Sequence, residues 1–110
     1  MLYTCPCCGF RMFSEPPGSY EICEICRWED DDIQLQDPSY SGGANKVSLI
    51  EGQENFKNTG VSAPLSKGSV RLPNDADVRD QKWYPIHSIS EMSYSDHIYY
   101  WDNGSEDITI

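Results

Sequence analysis

Hydrophobic residues are thinly spread along the chain, and their spacing predicts few regular elements. The clearest is a helix from Leu49 to about Asn58. Leu49 and Phe56 fall on one face at i and i+7, the repeat of an amphipathic helix. Ser48 and Glu51 make the S-x-x-E pattern of a capping box, and Gly60 suits the left-handed residue past a helix end. Gly52 lies inside this helix and weakens it by about 1 kcal/mol relative to alanine. Phe10–Phe13 and Tyr20–Ile22 read as short strands, separated by the breaker Pro16-Pro17-Gly18. Residues 37–47 are loop. Pro64, Pro73 and Pro85 oppose long elements between residues 61 and 85. That stretch reads as an extended wrap anchored by Val70, Leu72, Trp83 and Ile86. Near the end, His97–Asp102 and Ser105–Ile110 flank Asn103-Gly104, the signal of a type I′ hairpin. Its register puts Tyr99, Trp101, Ile108 and Ile110 on the packing face. Ile98, Tyr100, Asp102, Asp107 and Thr109 then face solvent.

A chain of 110 residues is one domain with at most a small appendage. With 38% hydrophobic residues its core is modest, so an added staple is expected. There is no internal repeat. Charge narrows the function classes. The chain holds 8 Lys+Arg against 18 Asp+Glu, a formal net charge of −10. The cations are scattered and form no stripe, which argues against binding nucleic acid. From Trp83 to Ile110 there is no Lys or Arg, while Glu91, Asp96, Asp102, Glu106 and Asp107 are acidic. Such a surface attracts basic partners or simply keeps the protein soluble. No basic-then-apolar leader and no membrane span is visible, so a cytoplasmic protein is expected.

The staple is legible in the cysteines, all five of which lie between residues 5 and 26. Cys5-Pro6-Cys7-Cys8-Gly9 and Cys23-Glu24-Ile25-Cys26 each contain a C-x-x-C pair, 14 residues apart. Two such turns brought together offer four thiolates to one tetrahedral ion. The ligand set read from this spacing is Cys5, Cys8, Cys23 and Cys26, holding one structural Zn2+. Iron suits the same four sulfurs. The pattern leaves open an exchange of Cys7 for Cys5. An odd cysteine count without a secretion signal argues against disulfides. Cys7 is one thiol beyond tetrahedral need and reads as a small residue packed or exposed outside its turn, or else as a reactive thiol.

Several blocks arrive in an order that resembles the cysteine-rich CPCC family of small bacterial proteins. They are Cys5–Gly9, Ser14–Cys23, Cys26–Asp31, Gly42–Asn45, Ser48-Leu49, Val70-Arg71, Arg79-Asp80, Trp83 and Pro85. The likeness covers roughly residues 3–86. It implies a zinc-ribbon-like fold and a setting beside toxin and immunity genes. Residues 87–110 fall outside the shared pattern, and Gly52 departs from it.

Other chemistry is sparse. Glu29-Asp30-Asp31-Asp32 reads as a solvated turn favouring a following helical turn. A cation site from Asp30, Asp32 and Asp37 lacks the glycine and terminal glutamate of a calcium loop. Trp28 reads as a packing residue over the cysteines. The two histidines, His87 and His97, have no spacing that pairs them with Cys7. No phosphate loop or nucleophile elbow is present, and a four-cysteine metal has no open position for water. The chain is therefore expected not to be an enzyme.

The expectation is an α+β fold: a zinc-ribbon-like N-terminal part, one helix, and a small antiparallel sheet with the C-terminal hairpin. Residues 1–86 form the zinc-binding domain, and 87–110 an acidic, aromatic hairpin packed on it. The expected function is an immunity protein that neutralises a basic toxin domain such as a nuclease. A zinc-ribbon adaptor is the alternative, and a small hydrolase ranks third. The partner surface expected is Tyr94, Tyr99, Tyr100, Trp101, Asp102 and Asp107, with neither nucleic acid nor membrane as partner.

Overall fold

A computed structural model of the chain describes residues 2–63, 68, 70–86 and 100–102, the last without its side chain. Among the described residues the architecture is α+β, with two short antiparallel strands and two α-helices around a cysteine cluster. β1 (Tyr3–Thr4) pairs with β2 (Arg11–Phe13), setting Tyr3 opposite Phe13 and Thr4 opposite Arg11 across a bulge. Phe10, expected to begin the strand over Phe10–Phe13, instead bridges to Arg79. The Arg11 N–H donates to the Val78 carbonyl (2.9 Å), and the Asp80 N–H to the Gly9 carbonyl (2.8 Å). Residues 78–80 thus run beside β2, which brings the late segment against the first C-x-x-C turn. Tyr20–Ile22 is not a regular strand: Ile22 bridges to Glu29, while the Tyr20 N–H and the Glu21 carbonyl bond to the Asp30 backbone.

Residues 70–86 wrap as the prolines suggest, but Leu72 is not an anchor, being 83% exposed. Polar ties hold that part of the chain instead. The Arg71 guanidinium grips Asp77 with two bonds of 2.8 Å and reaches Glu24 at 3.1 Å. Further on, Trp83 packs against the core and Ile86 is buried in it.

The acidic run does start a helical turn: α1 spans Asp32–Gln36. It is not a solvated run, however, because Asp30 and Asp31 are buried. Asp31 caps α1 by accepting from the Ile33 and Gln34 N–H groups, and its other oxygen takes the Ala44 N–H. Asp30 Oδ2 accepts from the Gly18 and Ser19 N–H groups and the Ser19 hydroxyl. These carboxylates satisfy loop donors that no ladder reaches. Buried Gln34 does the same for acceptors, donating to the Tyr40, Asn45 and Val47 carbonyls. Asn45 completes the network by bonding both the N–H and the carbonyl of Glu29 at 2.8 Å.

α2 spans Leu49–Thr59, with the capping box formed by Ser48 and Glu51 and a left-handed end at Gly60, as the sequence predicts. The hairpin expected at the C-terminus lies mostly outside the described residues. Within them, Tyr100–Asp102 form a 3₁₀ turn rather than a strand. Tyr100 is buried, not solvent-facing. Its hydroxyl donates to the Tyr84 carbonyl and accepts from Gln53 Nε2, and its ring meets Tyr84 and Trp101 edge-on. A phenol with both partners supplied and its ring packed is stable inside. Tyr100 and Trp101 belong to the same core as the cysteines, Phe13, Trp28 and Leu49. Among the described residues no helix is long and apolar enough to cross a membrane.

Candidate metal centre

Two backbone turns of one design hold the cysteines. In the first, the Gly9 N–H donates to the Cys5 carbonyl and the Cys5 N–H to the Phe10 carbonyl, both at 2.8 Å. In the second, the Arg27 N–H donates to the Cys23 carbonyl and the Cys23 N–H to the Trp28 carbonyl, both at 2.9 Å. Each turn is therefore closed twice by backbone bonds, and its two thiols project the same way. The Cys26 N–H also points at Cys23 Sγ, 3.5 Å away.

The four sulfurs of Cys5, Cys8, Cys23 and Cys26 lie within 4.8 Å of one another, and all four residues are fully buried. Cys5 Sγ is 3.6 Å from Cys26 Sγ, and Cys8 Sγ is 3.8 Å from Cys23 Sγ. These gaps far exceed a disulfide bond of about 2.05 Å. They match the edge of a sulfur tetrahedron, about 3.8 Å for metal–sulfur bonds of about 2.3 Å. Electrostatics points the same way. Burial pushes Cys5 and Cys26 up, toward neutral thiols. Cys23, bonded by Cys26, Cys5 and Cys8, is pushed far down. The cluster thus excludes water while its sulfurs bond one another. A cation at its centre stabilises four thiolates at once.

Cys7 is not one of the four. It is fully buried rather than exposed, and its sulfur lies beneath α2 at Gly52. Trp28, also fully buried, lines the same contact. Burial raises the Cys7 thiol above its ordinary range, the reverse of an activated nucleophile.

Residues distant in sequence clamp the first turn. The Pro6 carbonyl accepts from both Gln53 Nε2 and Trp83 Nε1, each at 2.9 Å. Arg79 Nε donates to the Cys8 carbonyl at 3.0 Å. Buried Gln53 also accepts the Ile86 N–H, so one side chain joins α2, the cysteine turn and the late segment. The sequence carries no signal for Gln53, a polar residue in a helix like any other.

The family model described as cysteine-rich CPCC matches residues 3–77, more than half of the chain. The chain belongs to that family. Comparison with curated proteins gives no significant match. The matched CPCC region contains both cysteine turns, α1 and α2. Trp83, Ile86 and Trp101, which complete its packing, follow it in the chain.

The residues read as a partner surface fare differently. Tyr100 and Trp101 are buried in the core and offer no surface. Trp101 Nε1 donates to buried Asp80 at 3.2 Å. Tyr94, Tyr99 and Asp107 and the side chain of Asp102 lie outside the described residues. An exposed aromatic among acids does occur, but at Tyr20. The charges of Asp31, Asp32, Glu29 and Asp30 raise its hydroxyl above the ordinary tyrosine range. Sequence spacing hid this because residues 20 and 29–32 meet only through the second cysteine turn.

Proposed function

We propose that this chain is a zinc-stabilised cytoplasmic immunity protein that binds and neutralises a basic toxin domain, such as a nuclease. The observation that carries the first half is the buried cluster of four cysteine sulfurs within 4.8 Å of one another. Four thiolates fill the coordination of zinc and leave no position for water or substrate, so the metal serves as a fold element rather than a catalytic centre. Iron is the other ion that four thiolates hold, and metal analysis of the purified protein separates the two.

The second half rests on charge. With ten more acids than bases, the molecule attracts a basic surface and can mask the pocket where a nuclease holds phosphate. The acidic tail remains one proposed contact, through Asp102 and Asp107. Tyr20, set in the field of Glu29 and Asp32, is another. Tyrosine among carboxylates suits protein recognition.

The test is binding to the C-terminal domain of the protein encoded by the neighbouring upstream gene. Tight, salt-sensitive binding is expected. Charge reversal at Asp102 and Asp107, or Tyr20→Ala, should slow association without changing metal content. If no basic domain binds, the adaptor reading replaces this one.

A further inference from the structure

An open groove of about 480 Å³ lies between α2 and the segment from Arg79 to Ile86. This volume is within the range of small-molecule clefts, roughly 300–1,000 Å³. Its apolar wall is made by Ile50, Phe56 and Trp83. Two cations stand on it, Lys57 and Arg79, against one acid, Glu54. In a chain with 8 basic and 18 acidic residues, that balance is reversed from the rest of the molecule.

Neither cation has an acidic partner among the described residues. Lys57 forms no ion pair or hydrogen bond with another described residue, and Glu54 instead takes a bond from Asn58. The Arg79 guanidinium is stacked between the rings of Phe10 and Trp83, 5.2 and 5.1 Å from their centroids. Its Nε is held by the Cys8 carbonyl, which leaves both Nη groups without a bond to a described residue. A guanidinium fixed on three sides presents a rigid two-nitrogen edge, the geometry that takes a carboxylate.

We propose that this groove binds a small apolar carboxylate, its hydrocarbon or aromatic part against Phe56 and Trp83 and its charge on Arg79 and Lys57. Charge selects an anion. The apolar wall selects against inorganic anions, and the limited volume favours a small molecule over a folded partner. None of the residues lining the groove is among the acidic contacts proposed above, so this binding does not depend on the immunity reading.

The experiment uses the full metal-loaded chain and 4-phenylbutyrate as probe, with 4-phenylbutyramide as its neutral twin. Saturable shifts are expected at the Trp83 indole N–H signal and at the Lys57 amide. The amide should bind about tenfold more weakly, the loss of a charge-assisted bond. Lys57→Gln and Arg79→Gln should each weaken the carboxylate several-fold and leave the amide unchanged. Lys57 is exposed and has no partner among the described residues, so its variant reads out the site even if Arg79→Gln disturbs the cysteine turn. Arg79→Lys should restore part of the affinity. Equal binding of acid and amide, shifts confined to Trp28 or Trp101, or indifference to both substitutions would overturn the proposal. So would binding of an acidic-aromatic peptide with no response to the free carboxylate.

Discussion

Arg27 occupies in the second cysteine turn the place that Gly9 occupies in the first. Each follows the second cysteine of its pair, and each has a left-handed backbone, with φ of 76° and 84°. The turn requires that conformation whatever the residue, because the chain must reverse there for the next residue's carbonyl to accept from the N–H of the first cysteine. For a residue with a Cβ it costs about 1–2 kcal/mol. Arg27→Gly should therefore raise stability by about 1 kcal/mol, part of the gain being lost to a freer unfolded chain. The reverse change is not available at Gly9. A Cβ there would stand 2.7 Å from two atoms of the Trp83 ring, as well as being strained. Gly9→Ala should lower the denaturation midpoint sharply and loosen metal retention. Chemical unfolding of the metal-loaded variants checks both directions.

Metal and fold should be lost together. Zinc bound by four cysteines contributes about 10–16 kcal/mol of apparent free energy in small peptides, coupled to folding. The core here is centred on the cysteines themselves, so chelation, or Cys23→Ser, should unfold or aggregate the protein. Cys7→Ser should keep about one metal per chain, because Cys7 is not among the four sulfurs, while Cys8→Ser should lower that ratio. Elemental analysis alongside circular dichroism reads the outcome. Equal metal loss in both variants would show that the ligand set is wrong.

Gly52 should resist improvement. In an ordinary helix, alanine in place of glycine gains about 1 kcal/mol. Here a Cβ would stand 3.2 Å from the Trp28 ring and 3.3 Å from Cys7 Sγ, both fully buried. Overpacking of that kind costs about 1–3 kcal/mol. Gly52→Ala should be destabilising by about 1 kcal/mol in thermal unfolding, against its helix propensity.

Asp30 should give stability an unusual pH dependence. Burial, with a smaller contribution from the Glu21 charge, raises its carboxyl from 3.8 to about 6. Oδ1 has no partner among the described residues, while Oδ2 has three donors. The folded state holds a proton that the unfolded state releases, so stability contributed here is present below the unfolded pKa and is lost as pH rises through about 6. Asp30→Asn removes that loss. Its stability relative to wild type should increase between pH 5.5 and 7.5, a window where about 1 kcal/mol is at stake. Melting of the metal-loaded proteins across that window tests it, and parallel pH profiles would refute it.

Part of this protein is written locally in its sequence. The paired C-x-x-C turns, the ligand spacing and the boundaries of α2 each depend on residues within a few positions of one another. Ser48 finds Glu51 three residues on, and Gly9 closes onto Cys5 four residues back. Short-range geometry and left-handed tolerance decide such features, so they are readable one turn at a time. The tertiary structure decided what depends on distant approach. Gly52 is a weak helix position in the sequence, and a contact surface for Cys7 and Trp28 in the fold. Asp30 and Asp31 look like a solvated charge run, yet they are drawn inside because loop N–H groups from residues 18, 19 and 44 need acceptors. Tyr100 reads as a solvent-facing tyrosine beside acids, and Trp101 as both a packing residue and a partner contact. They are core residues because Tyr84, Gln53 and Asp80, up to 47 positions away, supply the partners their polar atoms need. Burying a polar group is stable only when its partner arrives, and arrival from so far along the chain leaves no trace in local spacing.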